Sequence, residues 1–418
     1  MTTAMYELPI GWQTRPLGDL GRVVRGGSPR PAGDPRYFNG SFIPWLTVAS
    51  LTSIPASQIR VSETAGCLTE EGANRSRTLL PNTLVLANSG ATLGVAKILD
   101  LRCCANDGIA ALIDQHAGNR EFICQYLNTR TAYLRDVVAP GNGQPNLNTS
   151  LIKDIEVPFP PEPEQEAIAE VLADGDDLIT KLVRLIAKKR DVQQGMMQEL
   201  LTGRSRLPGF TGEWKLLPVA DNSHLKARIG WQGLTTGEYL TSGEYRLVGG
   251  TDFKNGHVDW ESTAFVDQWR FDQDKNIQLV DGDVLITKDG TIGKVAIVDS
   301  MPGPSTLNSG VFVLRPKRGA YDSEFVYWML RSRVFEEFVA GLSAGSTITH
   351  LYQRDLVTLE LLVPPTLEEQ AAISRILTDA DVEIVALERS LESARAVKIG
   401  MMQELLTGRT RMPVMEEA

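Results

Sequence analysis

Little in this sequence is equipped for chemistry. Only four cysteines and four histidines occur in 418 residues. Cys67, Cys103, Cys104 and Cys124 follow no zinc-site spacing and have no histidine at ligand distance along the chain, so they read as buried free thiols. His116, His224, His257 and His350 are scattered and form no metal pair. No G-x-x-x-x-G-K-[ST] phosphate loop is present, which excludes ATP hydrolysis through that element. Also missing is any Asn-Pro-Pro-aromatic or Asp-Pro-Pro-aromatic tetrapeptide, with which amino-methyltransferases hold a target amine. Asp252-Phe253-Lys254 and Glu213-Trp214-Lys215 match the tail of a nuclease carboxylate–lysine motif, but so short a pattern arises by chance. No apolar run reaches the length of a membrane span. Residues 1–9 lack the basic stretch and apolar core of a secretory signal. The expectation is a cytoplasmic protein with no catalytic centre and no cofactor of its own.

Positive charge is also scarce, the net value being −10. That argues against a nucleic-acid binder, because phosphates are neutralised by Lys and Arg. The balance is uneven, however. Residues 1–150 carry 13 basic and 11 acidic side chains, residues 151–213 carry 8 and 12, residues 214–360 carry 15 and 19, and residues 361–418 carry 6 and 10. A DNA surface here has to come from local clustering or from a more basic partner.

What the chain does have is a repeat. Residues 195–206 (GMMQELLTGRSR) return as residues 400–411 (GMMQELLTGRTR), identical at eleven of twelve positions and offset by 205. Upstream at the same offset, Glu164, Gln165, Ile168, Leu172, Asp176, Ile179 and Leu182 answer to Glu369, Gln370, Ile373, Leu377, Asp381, Ile384 and Leu387. Each copy reads as one long helix. In the second, Ile373, Leu377, Ala380, Ile384, Leu387, Leu391 and Ala394 alternate at steps of four and three, a heptad seam suited to helix-on-helix packing. The first copy keeps the register, with Gly175 and Lys189 as weak spots. Pro160, Pro161 and Pro163 mark one start; Pro364 and Pro365, before a capping box at residues 366–369, mark the other. Both copies stop at Thr-Gly, with Gly203 and Gly408 as caps. A helix of this length spans roughly 60 Å. With one apolar stripe it needs a partner, and its own copy is at hand.

Each helix follows a block of similar size. The chain therefore divides into a first lobe at 1–157, a first helical segment at 158–213, a second lobe at 214–362 and a second helical segment at 363–418. The lobes resemble each other weakly. Trp12 answers to Trp214, residues 84–94 (LVLANSGATLG) to 284–293 (VLITKDGTIG), and Glu121-Phe122 to Glu324-Phe325. Apolar runs at 83–87, 110–113, 284–287 and 310–314 read as strands, and 122–127 and 324–331 as short helices. The expected fold is α+β: two similar lobes separated by two long antiparallel coiled-coil helices, with a pseudo-two-fold relation. Nearly identical struts under diverged lobes suit one scaffold that carries two different readers. A plain dimerisation coiled coil accounts for the struts and leaves the lobes unexplained.

This order resembles the specificity subunit of type I restriction-modification systems over essentially the whole chain. Its most specific elements are the duplicated PPxxEQxxI stretch (Pro160 or Pro161 to Ile168, Pro364 or Pro365 to Ile373) and the Thr-Gly endings. In the first lobe Arg25-Gly26-Gly27-Ser28-Pro29, Ile43-Pro44-Trp45 and Gly143-Gln144-Pro145-Asn146 are similar to loops of that family's target-recognition domains. The second lobe departs from them, with IGWQG at 229–233 and GSTIT at 345–349. The resemblance implies that each lobe is a target-recognition domain for one half of a bipartite, non-palindromic DNA site. It implies that the helices set the unread spacer and that the chain itself is non-catalytic. The implied partners are double-stranded DNA, two modification (methyltransferase) subunits and restriction/translocase subunits. S-adenosylmethionine, ATP and Mg2+ would belong to those partners.

DNA readers take phosphates with Arg and Lys, and base edges with Arg, Lys, Asn or Gln. In the first lobe the best cluster is Arg22, Arg25, Gly26, Gly27, Ser28 and Arg30, where glycine amides can approach a phosphate. A solvated turn explains the cluster equally well. Arg75 and Arg77 form a second basic pair. Asn142, Gln144 and Asn146 offer amides suited to adenine, on what also reads as an Asn-Gly turn. In the second lobe the candidates are Lys226, Arg228, Trp231, Gln232, Lys288, Ser346, Thr347, Thr349 and Tyr352, while Lys254-Asn255-Gly256 reads as a hairpin turn. On the helix tails Met196, Met197, Met401 and Met402 are either core filling or, with Gln198, Glu199, Gln403 and Glu404, two equivalent docking sites for one partner. The competing reading is a coiled-coil adaptor whose lobes bind protein or small ligands.

Overall fold

The apolar runs that read as strands are buried on both faces, and this decides where the cores lie. The structure, a computed structural model, describes residues 8–138, 146–229, 233–342 and 350–413. In the first lobe a five-stranded sheet runs in the order Arg22–Arg25, Ile109–Ile113, Leu84–Ala87, Ala96–Leu99 and Arg60–Val61. Successive side chains alternate across a strand. Leu84, Leu86, Ile98 and Leu112 therefore join a core with the helix Arg120–Thr129, whereas Val85, Ala87, Leu99 and Ile109 join a second core with Leu46 and Leu51. A four-stranded sheet, Cys67–Leu68, Phe38–Leu46, Cys103–Ala105 and Arg77–Leu79, lies in the same lobe. Cys103, Cys104 and Cys124 are buried free thiols; Cys67, in a two-residue strand, is only partly covered. Burial pushes the Cys103 and Cys124 thiols up to about 12.

The second lobe repeats the order: Ser223–Ala227, Val311–Pro316, Val284–Thr287 and Val295–Ile297, extended by His257–Val258 and Phe253–Lys254. Val284, Ile286, Phe312 and Leu314 face the helix Ser323–Leu330, and Leu285, Ala296 and Val313 the opposite core. A three-stranded sheet, Ala264–Val266, Tyr245–Val248 and Ser305–Leu307, accompanies them. A short antiparallel pair closes each lobe, Gln13–Pro16 with Glu156–Phe159 and Lys215–Pro218 with Glu360–Val363. Trp12 meets Phe122 edge-on at 6.4 Å and Trp214 meets Phe325 at 6.3 Å. The faint sequence likeness of the lobes is thus a likeness of scaffold.

Both repeats are single helices of 39 residues, Glu162–Leu200 and Leu367–Leu405. Gly203 (φ +69°) and Gly408 (φ +73°) take the left-handed conformation just beyond their ends. The chain forms two compact units that divide inside the helices, between Leu185 and Ile186 and between Ala386 and Leu387. Each unit holds one lobe and half of each helix, so segments 158–213 and 363–418 are shared between units. Within each unit the halves run antiparallel. In one, Glu164 meets Arg411 and Asp176 meets Lys398; in the other, Arg206 meets Glu369, Gln193 meets Asp381 and Lys189 meets Glu383. The seam residues Ile168, Leu172, Ile179, Ile373, Leu377, Ile384 and Leu391 are buried. Its weak spots have local explanations: Lys189 reaches Glu383 at 2.7 Å, and Gly175 lies beside the Lys398 side chain.

One junction, made once in each unit, accounts for the repeated Glu-Gln and for the last arginine of Thr-Gly-Arg-x-Arg. Glu164, 1% exposed, accepts from Trp12 Nε1 at 3.0 Å and from Arg411 Nε and Nη2 at 2.6 and 2.8 Å. Glu369, equally buried, accepts from Arg206 Nε and Nη2 at 3.0 and 2.6 Å. Gln165 accepts from Asn119 N at 2.8 Å and donates to Pro160 O, and Gln370 does the same with Asp322 N and Pro364 O. Asn119 and Asp322 are the N-caps of the lobe helices. The glutamate ties helix to helix, and the glutamine ties helix to lobe. This corrects the expected capping box: Thr366 accepts from Glu369 N, but the Glu369 carboxylate is taken by Arg206.

The methionine pairs pack inward. Met401 and Met402 lie against the first lobe's core beside Leu405 and Leu406, and Met196 and Met197 against the second's beside Leu200 and Leu201. All four methionines are partly buried in these contacts, which fits the core-filling reading of their side chains. Gln198, Glu199 and Gln403 are exposed and Glu404 is half-buried.

Lys254-Asn255-Gly256 is the hairpin turn expected, with φ of +52° at Asn255 and +85° at Gly256. It places His257 between Asp299 (3.0 Å) and Asp381 of the second helix (3.5 Å). These two carboxylates, against the opposing effect of burial, raise His257 to about 9. A raised folded-state value means stability present below the unfolded value near 6.5 and lost as pH climbs through about 9. Urea midpoints of the wild type should therefore fall between about pH 6.5 and 9.5 more steeply than those of His257→Gln; parallel profiles would contradict the clasp. For Glu164, burial opposes the charge, but Arg411, Trp12 and the Met412 amide outweigh it and hold the carboxyl below its usual range. Its contribution is present above the ordinary carboxylate value and lost as pH falls through the lowered one. Glu164→Ala strands Arg411 and the Trp12 N–H, and should lower unfolding free energy at neutral pH by about 1.5–3 kcal/mol in urea titration.

Candidate nucleic-acid interface

In the first lobe the strand Arg22–Arg25 runs out beside the loop at residues 106–108. Gly26 N donates to Ile109 O at 2.8 Å and Gly27 N to Ala105 O at 2.9 Å. A Cβ on Gly26 would lie 2.0 Å from Asn106 O, so only glycine passes there. Asp107 is the hub of the loop. Its carboxylate accepts from Ser28 Oγ at 2.7 Å and Arg30 Nη2 at 3.2 Å. Its carbonyl accepts from Arg25 Nε at 2.5 Å and Asn88 Nδ2 at 3.2 Å. Arg77 Nε donates to Arg25 O at 2.7 Å. Above all the Ser28 hydroxyl, with help from Arg30 and Arg25 and against burial, keeps the Asp107 carboxyl below its usual range. Three exposed guanidiniums are thus tied to this loop, Arg30 through the Asp107 carboxylate, Arg25 through the Asp107 carbonyl and Arg77 through the Arg25 carbonyl.

Two of the sequence candidates lie elsewhere. Arg22 occupies the far end of its strand and pairs with Asp114 at 2.9 Å. Arg75 lies 4.7 Å over the Tyr37 ring with Glu71 beside it, so Arg77 joins the cluster and Arg75 does not. Asn146 forms a bridge with Ser89. Asn142, Gln144, Trp231, Gln232, Ser346, Thr347 and Thr349 lie outside the described residues.

In the second lobe Lys226 is exposed on its strand, but Arg228 requires correction as a surface contact. It is 2% exposed and donates to Leu307 O, Thr306 Oγ1 and Gln273 Oε1, so its hydrogen-bonding capacity is used inside the lobe. Lys288 is half-buried, 3.6 Å from Asp289, and Asp289 pairs with His350 Nδ1 at 2.6 Å. Tyr352 is half-exposed with Arg354 stacked 4.7 Å over its ring. Asp252, from the nuclease-like triplet, accepts from Gly249 N within its own turn.

The two lobes build this edge on one backbone plan. Asn88 N donates to Gly108 O, and Lys288 N to Gly310 O, both at 2.9 Å. Leu147 N donates to Asn88 O at 2.7 Å and Leu351 N to Lys288 O at 2.8 Å. Ser89 bridges Asn146 as Asp289 bridges His350. Asn106 N reaches Leu46 O at 2.9 Å, and Asn308 N reaches Val248 O at 2.8 Å. At four of the matched positions the side chains differ, Asn88 against Lys288, Ser89 against Asp289, Asp107 against Ser309 and Asn146 against His350, while Asn106, Gly108 and Leu147 recur as Asn308, Gly310 and Leu351. Sequence reasoning missed Asn88, Asn106, Asp107, Asn308 and Ser309. The signal was an Asn-Asp-Gly at 106–108 answering to an Asn-Ser-Gly at 308–310, each just before an apolar strand. Among the described residues no three His, Cys, Asp or Glu side chains converge on a metal site. No described helix is long and apolar enough to cross a membrane.

Known proteins agree with this layout. A family model described as the type I restriction modification DNA specificity domain matches residues 9–189 and again residues 234–394. The type I restriction enzyme MjaVIII specificity subunit of Methanocaldococcus jannaschii is 22% identical, over 97% of this chain and 94% of that one. The type I restriction enzyme HindI specificity subunit of Haemophilus influenzae is 28% identical over 158 residues, 37% of this chain and 33% of that one. The crystal structure of a type I restriction-modification system S subunit from M. genitalium has the same fold, with a TM-score of 0.63 at 15% identity, over 97% of this chain and 98% of the other. With the family's domain present twice and spanning most of its length, the chain belongs to the type I restriction-modification DNA specificity subunits.

Proposed function

We propose that this specificity subunit reads a bipartite double-stranded DNA target, one half with each lobe, through the loops at the strand ends around Asp107 and around Lys288 and Asp289. The observation that carries the reading is one backbone plan, with Asn106/Asn308, Gly108/Gly310 and Leu147/Leu351 kept, that presents different side chains at Asn88/Lys288, Ser89/Asp289, Asp107/Ser309 and Asn146/His350. A fixed frame with exchangeable donors and acceptors is what base readout requires, because hydrogen-bonding patterns in the major groove distinguish the base pairs. The adaptor reading is not favoured, since it gives no reason for this match.

Specificity subunits of this family recognise DNA sequence and leave catalysis to other subunits of the complex. For this chain the proposed partners are two modification subunits that methylate adenine and restriction/translocase subunits that cleave, with S-adenosylmethionine, ATP and Mg2+ on those partners and the whole in the cytoplasm. A net charge of −10 fits a reader whose phosphate contacts are shared with a more basic partner. The two partner sites fall on the repeated tails. Gln198 and Glu199 on one helix and Gln403 and Glu404 on the other are joined by Val192 and Val397, matched positions that are 49% and 60% exposed.

Selection of bound DNA from a random library by the co-purified complex should return one gapped motif. Log affinity for it should fall linearly with log salt, by about 0.9 per phosphate neutralised. A pool without sequence preference, bound independently of salt, would support the adaptor instead.

A further inference from the structure

Arg25 and Asp107 stand out because the second lobe does without both. By strand register Arg25 lies opposite Ala110, and Ala227 lies opposite Phe312 on the corresponding strand. Ala227 is therefore the second lobe's counterpart of Arg25, as Ser309 is the counterpart of Asp107. With this alanine and serine the second lobe still makes three of the loop's backbone hydrogen bonds, Lys288 N to Gly310 O, Leu351 N to Lys288 O and Asn308 N to Val248 O. The arginine–aspartate pair is consequently not needed to build the loop.

What the pair does is aim a guanidinium. Arg25 is exposed and spends only Nε, on the Asp107 carbonyl at 2.5 Å. Among the described residues its two terminal amino groups have no hydrogen-bond partner. Asp107 is itself braced by Ser28 and Arg30, and Asn88 donates to the same carbonyl, so the fork is held from behind by a fixed loop. A guanidinium anchored through Nε presents its remaining N–H groups as a parallel pair. That geometry matches guanine O6 and N7 in the major groove, whereas a lysine offers only a point charge. Arg77, anchored on Arg25 O, and Arg30, turned to the carboxylate, add exposed positive charge to the same loop.

Resting on the DNA-reading function, we infer that Arg25 reads a guanine in the half-site of the first lobe, with Asp107 as its positioning residue, and that the second lobe lacks this contact. Selection of bound DNA by the co-purified complex tests it with two variants. Arg25→Lys keeps the charge and removes the fork. The double variant Arg25→Ala with Asp107→Ser installs the pair that the second lobe already carries on the same backbone path, so the loop retains its frame. Both should lose preference for one guanine in one half of the motif, by about ten- to hundredfold against the other bases, with the other half unchanged. Arg25→Lys should also leave the salt slope unchanged. An unaltered motif overturns the inference, as does a change at a base other than guanine or a uniform weakening on all sequences, which marks a phosphate contact. A wild-type complex that selects no motif overturns the DNA-reading function itself and this inference with it.

Discussion

The architecture depends on a carboxylate buried in the first turn of each long helix. Glu164 and Glu369 are each about 1% exposed, and a charge at such a site is tolerated only with full hydrogen-bonding compensation. The compensation comes from the far end of the other helix, through Arg411 for one and Arg206 for the other. Because each tail supplies the arginine for the other copy's glutamate, neither half of the repeat is complete alone. The neighbouring Gln165 and Gln370 extend the junction to the caps of the lobe helices. Two adjacent residues thereby join helix to helix and helix to lobe, which is why this stretch and the tail arginines recur where the lobes have diverged.

With the frame held in that way, the lobe edges are free to differ. The inner strands of each central sheet are buried on both faces and largely apolar, whereas the edge-strand ends and the loops beyond them carry side chains the core does not constrain. The exchange of Arg25 and Asp107 for Ala227 and Ser309 on one backbone plan is the sharpest instance. The seam carries differences too. Asp176 is buried against Lys398 and Gln125, while its counterpart Asp381 pairs with Gln193 and His257. A buried polar pair in a helical seam is better at specifying register than at adding stability.

Much of the frame could be read from the sequence because its signals are local. The heptad seam, the prolines at both starts, the glycines at both ends and the Asn-Gly hairpin turn are each decided within a few residues, and each is found where expected. The loop edge proposed to read DNA was less accessible because its contacts are non-local. Asp107 is tied to residues 77 to 82 positions away, and the Asn-Asp-Gly around it marks a loop without announcing those partners. Arg228 failed for the same reason: it was a candidate for lying near the glycine-flanked Trp231-Gln232, but Thr306 and Leu307, 78 and 79 residues on, enclose it. The methionine tails show the converse. Their near-identity suited a partner surface, but packing against each lobe's own core also demands the same residues twice.

The account holds that the helices are a common frame and that sequence choice resides in the lobes alone. Its most direct measurement grafts onto this chain, in place of residues 1–157, the corresponding lobe of a relative with a different target, and determines the DNA bound by the assembled complex. One half of the target should become the donor's while the other half stays as it was. A target altered in both halves, or unaltered in either, would contradict the separation of frame from reader.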